Sequence, residues 1–569
     1  MTFCHRAFGA SVLVTLLISL AGSAMAAETA PVCKVQKVVE LPVTMIGARP
    51  TVPVTVNGQP GRFMIDSGAF FNTMSSAAAD KFHLKPAEDA RISGVIGVGG
   101  FTKAKVANVH EFGLANVVLP RIELIIADGM GSDIDGVIGE NVLHTLDVEY
   151  DFANGVVRIY KPEHCGSQTV LAYWAETGLN VLNLDVNTSD VNHHIVAHGQ
   201  LNGRDIRVML DTGASRSYVT LKAAAAAGVT PESPGVVSGG QTVGFGSRRI
   251  DTWIARFDKI KLDGEEIQHT RLRFGGIELS GAEMILGSDF FLSHRIYVAN
   301  SQNRLYFTYN GGQVFQLEST PQIQRAEAAA IAGGVSKPAE TAQAATDLTD
   351  ADALARRGAA SLARFDYLAA IADYTRAIAL KPEDGGLRLQ RGLAYLRTAN
   401  RALAKADFDA AAMRIPITSR DSLNITGAYQ GLGLLRESID HANLWIDANP
   451  RSDLMAQALN SRGYARARLR TELDAALADC NGALKLVPGN LHFLDSRAYT
   501  HFVRGEFDAA IADYDIILKQ TPKASLPLYS RGVTKLRKGQ KDAGNADIVA
   551  AVALDPQVAA RAQPLGLTP

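Results

Sequence analysis

The chain has 569 residues, 47% of them hydrophobic and 20% charged. That length is too great for one core, so about three or four globular domains are expected. The composition excludes a wholly disordered chain, and a net charge of −1 gives no electrostatic footprint for a nucleic-acid partner.

The N-terminus reads as a targeting segment. His5 and Arg6 precede an apolar run from Ser11 to Leu20, and Ala24-Met25-Ala26 supplies the small residues of a cleavage site. This predicts a secretory signal peptide over residues 1–26. The run is too short to span a bilayer. Leu20-Ala21-Gly22-Ser23 resembles a bacterial lipoprotein box, but serine stands where the lipidated cysteine belongs, so no lipid anchor is expected. No later stretch is long enough to cross a membrane. The mature protein is expected to be exported by a bacterium, into the periplasm or beyond it. Cys33 and Cys165 bracket the strand-rich segment that begins near residue 35. In an oxidising compartment they either form a disulfide or stay as two thiols.

Residues 35–162 read as short strands. Thr51 to Val56, the turn Asn57-Gly58 and an apolar run into Asp66 suggest a hairpin. Ser75 to Phe82 suggests a short helix. Leu146 to Phe152 alternates in strand fashion, and Val156 to Tyr160 returns past Asn154-Gly155. Residues 176–310 repeat the scheme, with Arg295 to Phe307 as the matching return. His193, His194 and His198 cluster in this second part, but neighbours on a strand point to opposite faces, so no metal site is expected. The chain has no HExxH spacing, CxxC pair or Gly-x-Ser-x-Gly elbow.

Residues 311–350 are rich in Ala, Thr, Glu and Gln and read as a linker. Beyond them a period appears. Pro382, Pro416, Pro450, Pro488, Pro522 and Pro556 close successive units over 351–558. Asp373-Tyr374, Asp407-Phe408, Asp479-Cys480, Asp513-Tyr514 and Asp547-Ile548 keep one phase, and Gly358, Gly392 and Gly532 sit early in their units. The pattern resembles the tetratricopeptide repeat, in about six units, which implies an all-α solenoid that docks a protein partner. The third unit departs from it and carries Trp445. The polar linker predicts that this solenoid folds as a body apart from the rest.

The two strand-rich halves share landmarks. Phe63-Met64-Ile65-Asp66-Ser67-Gly68-Ala69 matches Val208-Met209-Leu210-Asp211-Thr212-Gly213-Ala214. Asn57-Gly58 and Asn202-Gly203 precede them at equal distance, and Val137-Ile138-Gly139 and Ile285-Leu286-Gly287 come after them. This is an internal duplication. It resembles the retropepsin-like aspartic protease family, present twice in one chain over roughly 40–310. The resemblance implies two all-β lobes, no cofactor, and catalytic Asp66 and Asp211 sharing one proton, so that one activates water and the other protonates the scissile carbonyl. It implies support from Ser67, Thr212, Gly139 and Gly287, with Gly68 and Gly213 allowing tight turns. It makes flaps of the Gly-rich stretches that include Gly97, Gly99, Gly100, Gly239 and Gly240. An ordinary Gly-rich turn is the plainer alternative.

The sequence therefore predicts a monomeric exported endopeptidase acting on peptides or proteins, with its lobes paired within one chain. A catalytically silent scaffold whose repeats bind a partner is the alternative, and lobe pairing between chains is a third. Phe70-Phe71, where the second half has Ser215-Arg216, either joins the core or crowds the cleft. Ala69 and Ala214, where pepsin-like enzymes have Ser or Thr, remove one hydroxyl donor per lobe. That predicts a dyad holding its proton to higher pH.

Overall fold

The computed structural model describes residues 32–87, 94–97, 100–128, 133–186, 194–244, 249–279, 281–315 and 349–569. The signal peptide, Gly99, His193, Phe245-Gly246 and most of the linker lie outside the described residues.

Each strand-rich half is built on a hairpin. Asn57 and Gly58 have φ of 48° and 80°, and Asn202 and Gly203 have 50° and 80°. Positive φ at both turn residues matches the twist of the strands they join, which is why Asn-Gly stands there. The hairpins Arg49–Val56/Gln59–Ile65 and Val196–Leu201/Arg204–Leu210 each belong to a seven-stranded sheet. Each sheet closes on itself, through Arg49–Val56 with Lys105–Leu114 and Val196–Leu201 with Arg249–Leu262. The two halves are thus β-barrel lobes. Ser75 caps the short helix Ser76–Lys81 by accepting from the Ala78 amide at 3.1 Å.

A six-stranded sheet joins the lobes. It runs Lys34–Pro42, Val156–Glu163, Asp147–Asp151, His294–Ala299, Arg304–Tyr309, Asn180–Asn183. Its central pairing, Val148 with Val298 and Tyr150 with Ile296, crosses between the duplicated halves. Alternation in Asp147–Asp151 suggests one wet face, yet all five residues are buried. The reason lies at Glu149. It accepts from Arg158 at 2.7 Å, Arg295 at 2.9 Å and Tyr173 at 2.8 Å, so its charge is compensated inside the sheet. Cys33 and Cys165 are disulfide-bonded, tying the first strand of this sheet to the chain beyond its partner strand.

The C-terminal region is six antiparallel helix pairs, from Ala351–Ala363/Tyr367–Leu380 to Ser525–Arg537/Lys541–Leu554, and then the short helix Val558–Ala562. The repeated small residues are where helices touch. A Cβ at Gly358 would lie 3.1 Å from the Tyr374 ring, and one at Gly392 would lie 2.6 Å from Phe408. The repeated aspartates accept arginine forks across each pair: Arg357–Asp373, Arg391–Asp407, Arg462–Asp479, Arg497–Asp513 and Arg531–Asp547. In the third unit Ile425 and His441 occupy those places, and His441 instead bonds Thr426 at 3.2 Å and Ser422 at 3.4 Å. Trp445 fills the volume behind it, fully buried. No helix among the described residues is long and apolar enough to cross a membrane.

The solenoid is not a body apart, contrary to what the linker composition predicts. Ala359, Ala360 and Ala363 of the first repeat helix belong to the same hydrophobic cluster as both lobes. That helix packs on strand Thr44–Ile46 and on the 3₁₀ turn Phe152–Asn154, which one apolar helix face is enough to bring about whatever the linker does. Arg364 donates to the Leu292 carbonyl at 3.3 Å, and the Arg216 guanidinium sits 5.1 Å above the Phe365 ring. Ala360→Asp places an unpaired carboxylate in this shared core. It should cost about 3 kcal/mol or more and lower one joint calorimetric transition of lobes and repeats. Two separate transitions, with only the repeat transition shifted, would show independent folding instead.

Candidate active site

Asp66 ends strand Gln59–Ile65, which pairs in parallel with Gly136–Ile138. Asp211 ends strand Arg204–Leu210, which pairs in parallel with Met284–Leu286. The Asp66 amide donates to the Ile138 carbonyl and the Asp211 amide to the Leu286 carbonyl, both at 3.0 Å. The same local rule therefore aims both carboxylates at the gap between the lobes.

Ser67 and Thr212 lock the two loops together. The Ser67 amide donates to Thr212 Oγ1 at 3.0 Å, and the Thr212 amide donates to Ser67 Oγ at 3.1 Å. Each hydroxyl donates onward across the gap, Ser67 to the Leu210 carbonyl at 3.1 Å and Thr212 to the Ile65 carbonyl at 2.9 Å. All four bonds are buried and cross between the halves.

Gly68 and Gly213 have a different reason from the one expected. Neither is among the residues with positive φ, so no turn requires glycine. A Cβ on Gly68 would lie 2.3 Å from Asp211 Cγ, and one on Gly213 would lie 2.3 Å from Asp66 Cγ. Each glycine makes room for the opposite carboxylate. Gly139 and Gly287 are also at close approaches. Added Cβ atoms would meet the Ala69 carbonyl oxygen at 2.8 Å and the Arg216 carbonyl carbon at 2.5 Å.

Asp66 and Asp211 lie close enough for each to shift the other's titration. Gly68 and Ala214 amides each donate to the carboxylate of their own loop at 2.9 Å. Burial, and then the Asp211 charge, holds Asp66 well above the usual carboxylate range. Burial also raises Asp211, against the Ala214 amide and the Asp66 hydrogen bond. Two carboxyls this close resist being ionised together, so they titrate as a pair.

Two Gly-rich elements wall the site. Hairpin Gly94–Gly97/Gly100–Lys103 and strand Val237–Val243 lie where flaps are expected. Gly97, Gly100 and Gly239 line one cavity of about 2300 Å³ with Asp66 and Asp211. Gly240 has φ +72 at the bulge opposite Thr252. Phe70 and Phe71 line that cavity rather than the core. Phe70 stacks on His194 with ring centroids 4.2 Å apart, and Phe71 is 40% exposed. His198 is exposed and bonds Asp185 at 2.8 Å. Among the described residues no three His, Cys, Asp or Glu side chains converge as a metal site.

Several site residues escape a reading of the sequence. Asn72 accepts from the Gly139 amide at 2.9 Å, and Ser217 accepts from the Gly287 amide at 3.0 Å. Asn141 and Asp289 in turn accept from the amides of Asn72 and Ser217. Their matching offsets in the two halves are the signal that could find them. Glu140 follows Gly139 where the second half has Ser288, whose hydroxyl donates to the Thr212 carbonyl at 2.8 Å. Glu140 is 1% exposed, and neither of its carboxyl oxygens has a hydrogen-bond partner among the described residues. Burial, and then the Asp66 charge, holds its pKa well above the usual range.

That shift has a stability consequence. The folded pKa of Glu140 exceeds the unfolded one, so between the two the unfolded chain releases a proton that the folded chain keeps. The group therefore costs stability as pH rises above the ordinary Glu value. Glu140→Gln removes this cost. Near about pH 4 variant and wild type should melt alike, and the variant should gain about 1.4 kcal/mol for each pH unit within that interval. Tm against pH for both proteins checks this; parallel curves would place Glu140 in contact with solvent.

Comparison with known proteins matches each lobe separately. Residues 52–142 match the family described as "Aspartyl protease", and residues 197–293 match the one described as "gag-polyprotein putative aspartyl protease". No curated protein matches the chain. Among solved structures, a tetratricopeptide repeat protein from Parabacteroides merdae ATCC 43184 is 16% identical, with 38% of this chain and 90% of that chain covered and a TM-score of 0.32. PilW, a type IV pilus biogenesis factor, is 17% identical over 37% of this chain and 96% of that chain, with a TM-score of 0.33. Each lobe therefore matches an aspartyl-protease family model, and the C-terminal region is a solenoid of six helix pairs.

Proposed function

We propose that the protein is an exported aspartic endopeptidase whose two catalytic aspartates, Asp66 and Asp211, come from one chain. The observation that carries this reading is the reciprocal fit of the two loops: each glycine leaves room for the opposite carboxylate, and Ser67 and Thr212 bond each other's amides across the gap. Asp66 holds the shared proton and donates it to the scissile carbonyl oxygen. Asp211, ionised, takes a proton from the attacking water. The tetrahedral diol then collapses: the leaving amine takes the proton from Asp211, one hydroxyl gives its proton back to Asp66 as the acid forms, and the pair is again singly protonated. Ser67 and Thr212 hold the two loops together, so that one proton can serve both carboxylates. Gly97, Gly100 and Gly239 supply backbone close to a bound peptide, and Phe70 and Phe71 supply an apolar wall for its side chains. Export is supported by the N-terminal sequence and by the Cys33–Cys165 disulfide, which needs an oxidising compartment. No metal or other cofactor enters this scheme.

The decisive experiment is a peptide-library digest by the mature protein beside Asp66→Asn and Asp211→Asn. Each substitution keeps the shape and removes the shared proton, so each should lower kcat by at least about a thousandfold with little change in Tm. If Asp66→Asn keeps near-normal turnover, the second lobe works with another copy of itself. If wild type cleaves nothing while folded, the protein is a scaffold.

The pH profile depends on the same pair. Activity needs one proton on the dyad. Rising pH strips it as the raised pKa of Asp66 is passed, and falling pH adds a second proton to Asp211. Both values lie above the ordinary range, so the active window is displaced upward from that of two carboxyls at ordinary values. Ala69→Ser/Ala214→Ser adds one donor to each ionised carboxylate and should move kcat/KM toward acid. An unmoved profile, or a strongly acidic wild-type optimum, would defeat this account.

A further inference from the structure

The cavity that holds Asp66 and Asp211 does not end at the lobes. It continues along the concave face of the solenoid, as far as Ser461 in the fourth repeat. The solenoid meets the lobes at two places. Its first helix shares the hydrophobic core of the lobes. Between its fifth and sixth repeats, the exposed Lys523 pairs at 2.8 Å with Asp251, on the strand that forms a hairpin with Val237–Val243 beside the cleft. The repeats thus roof the dyad.

The face turned to this space has one chemistry repeated. Arg356, Gln390, Asn424 and Ser461 stand at the same phase of four successive inner helices, and all four line the cavity. Three of them carry a donor and an acceptor on one side chain, and Arg356 carries donors only. A row of such groups matches the backbone amides of an extended chain, whatever its side chains are. A folded domain offers no run of free backbone groups, and the roof stands between it and the dyad.

We propose that the concave face of the first four repeats is the outer part of the substrate site, so that the protein takes unfolded, extended polypeptide and leads it from Gln390 and Asn424 into the dyad. This rests on the endopeptidase reading and names its substrate class. Hydrogen bonds from these side chains hold the incoming chain and read no sequence.

The test uses the full mature chain and a Gln390→Ala/Asn424→Ala variant. Two substrates share one scissile sequence, an octapeptide and a reduced, carboxymethylated polypeptide. In the variant the ratio of kcat/KM for the long substrate to that for the short one should fall about tenfold, through KM, since two lost hydrogen bonds are worth that much together. The wild type should also cleave the unfolded polypeptide far faster than its folded, disulfide-intact form. A second arm is independent of turnover. Asp211→Asn protein, with and without the two groove substitutions, is titrated against the fluorescently labelled unfolded polypeptide, and the groove substitutions should raise Kd about tenfold. An unchanged Kd overturns the groove. If the wild type cleaves neither substrate while the Kd still rises, the endopeptidase reading fails and the groove stands as a binding site for extended chains.

Discussion

Two hydroxyls, Ser67 and Thr212, carry the constraint on which the rest of the site depends. Each accepts the other loop's amide and donates to the carbonyl at the end of the strand that leads into that loop. Four buried hydrogen bonds then replace what would be four unsatisfied backbone groups at the tips of two strands, and a buried polar group left unpaired costs about 1–3 kcal/mol. The lobes cannot separate locally without leaving these groups dry and unpaired. That is why two carboxylates, which repel when both are charged, stay within hydrogen-bond reach. The raised pKa values of both follow from an approach that the hydroxyls and the two glycines impose.

The same logic recurs one layer out. The sheet joining the lobes buries Glu149, which a single arginine would leave short of partners. Arg158 from the first half, Arg295 from the second and Tyr173 from the connection between them converge on it. A buried carboxylate satisfied from both halves fixes their mutual register more than it adds net stability. The disulfide closes the outer edge of that sheet. Hydroxyl lock, carboxylate cluster and disulfide each join segments far apart in sequence.

Much of this was legible in the sequence because duplication doubles every signal. Asp66 and Asp211, Ser67 and Thr212, and Gly139 and Gly287 stand out by recurring at one offset, and the Asn-Gly turns mark the hairpins by their own backbone chemistry. What escaped had one of two causes. Glu140 and Ser288 occupy the same place with unlike chemistry, so comparing the halves hides rather than reveals the buried acid. The shared sheet and the docking of helix Ala351–Ala363 are long-range contacts made by apolar faces. Val148 pairing with Val298, or Ala359 seated among residues of both lobes, leaves no trace in local periodicity. The linker composition pointed the wrong way, because a polar tether says nothing about the surfaces at its ends. At Gly68 and Gly213 the crowding comes from the opposite loop, which the local sequence does not show.

The repeats show how their own regularity serves the cleft. The aspartate phase that marks them in sequence is one half of an ion pair, with its arginine on the preceding helix. A bidentate fork fixes the angle between two helices as well as their distance, because guanidinium and carboxylate must be coplanar. Where the third repeat lacks the fork, His441 takes the position, neutral because burial lowers its pKa, and Trp445 supplies packing in place of charge. Each pair is thereby stiff, and stacking passes that stiffness along the solenoid. Since the first helix is embedded in the core of the lobes, the inner helices have fixed positions relative to Asp66 and Asp211. A groove held this way needs no closing motion to stay in line with the dyad.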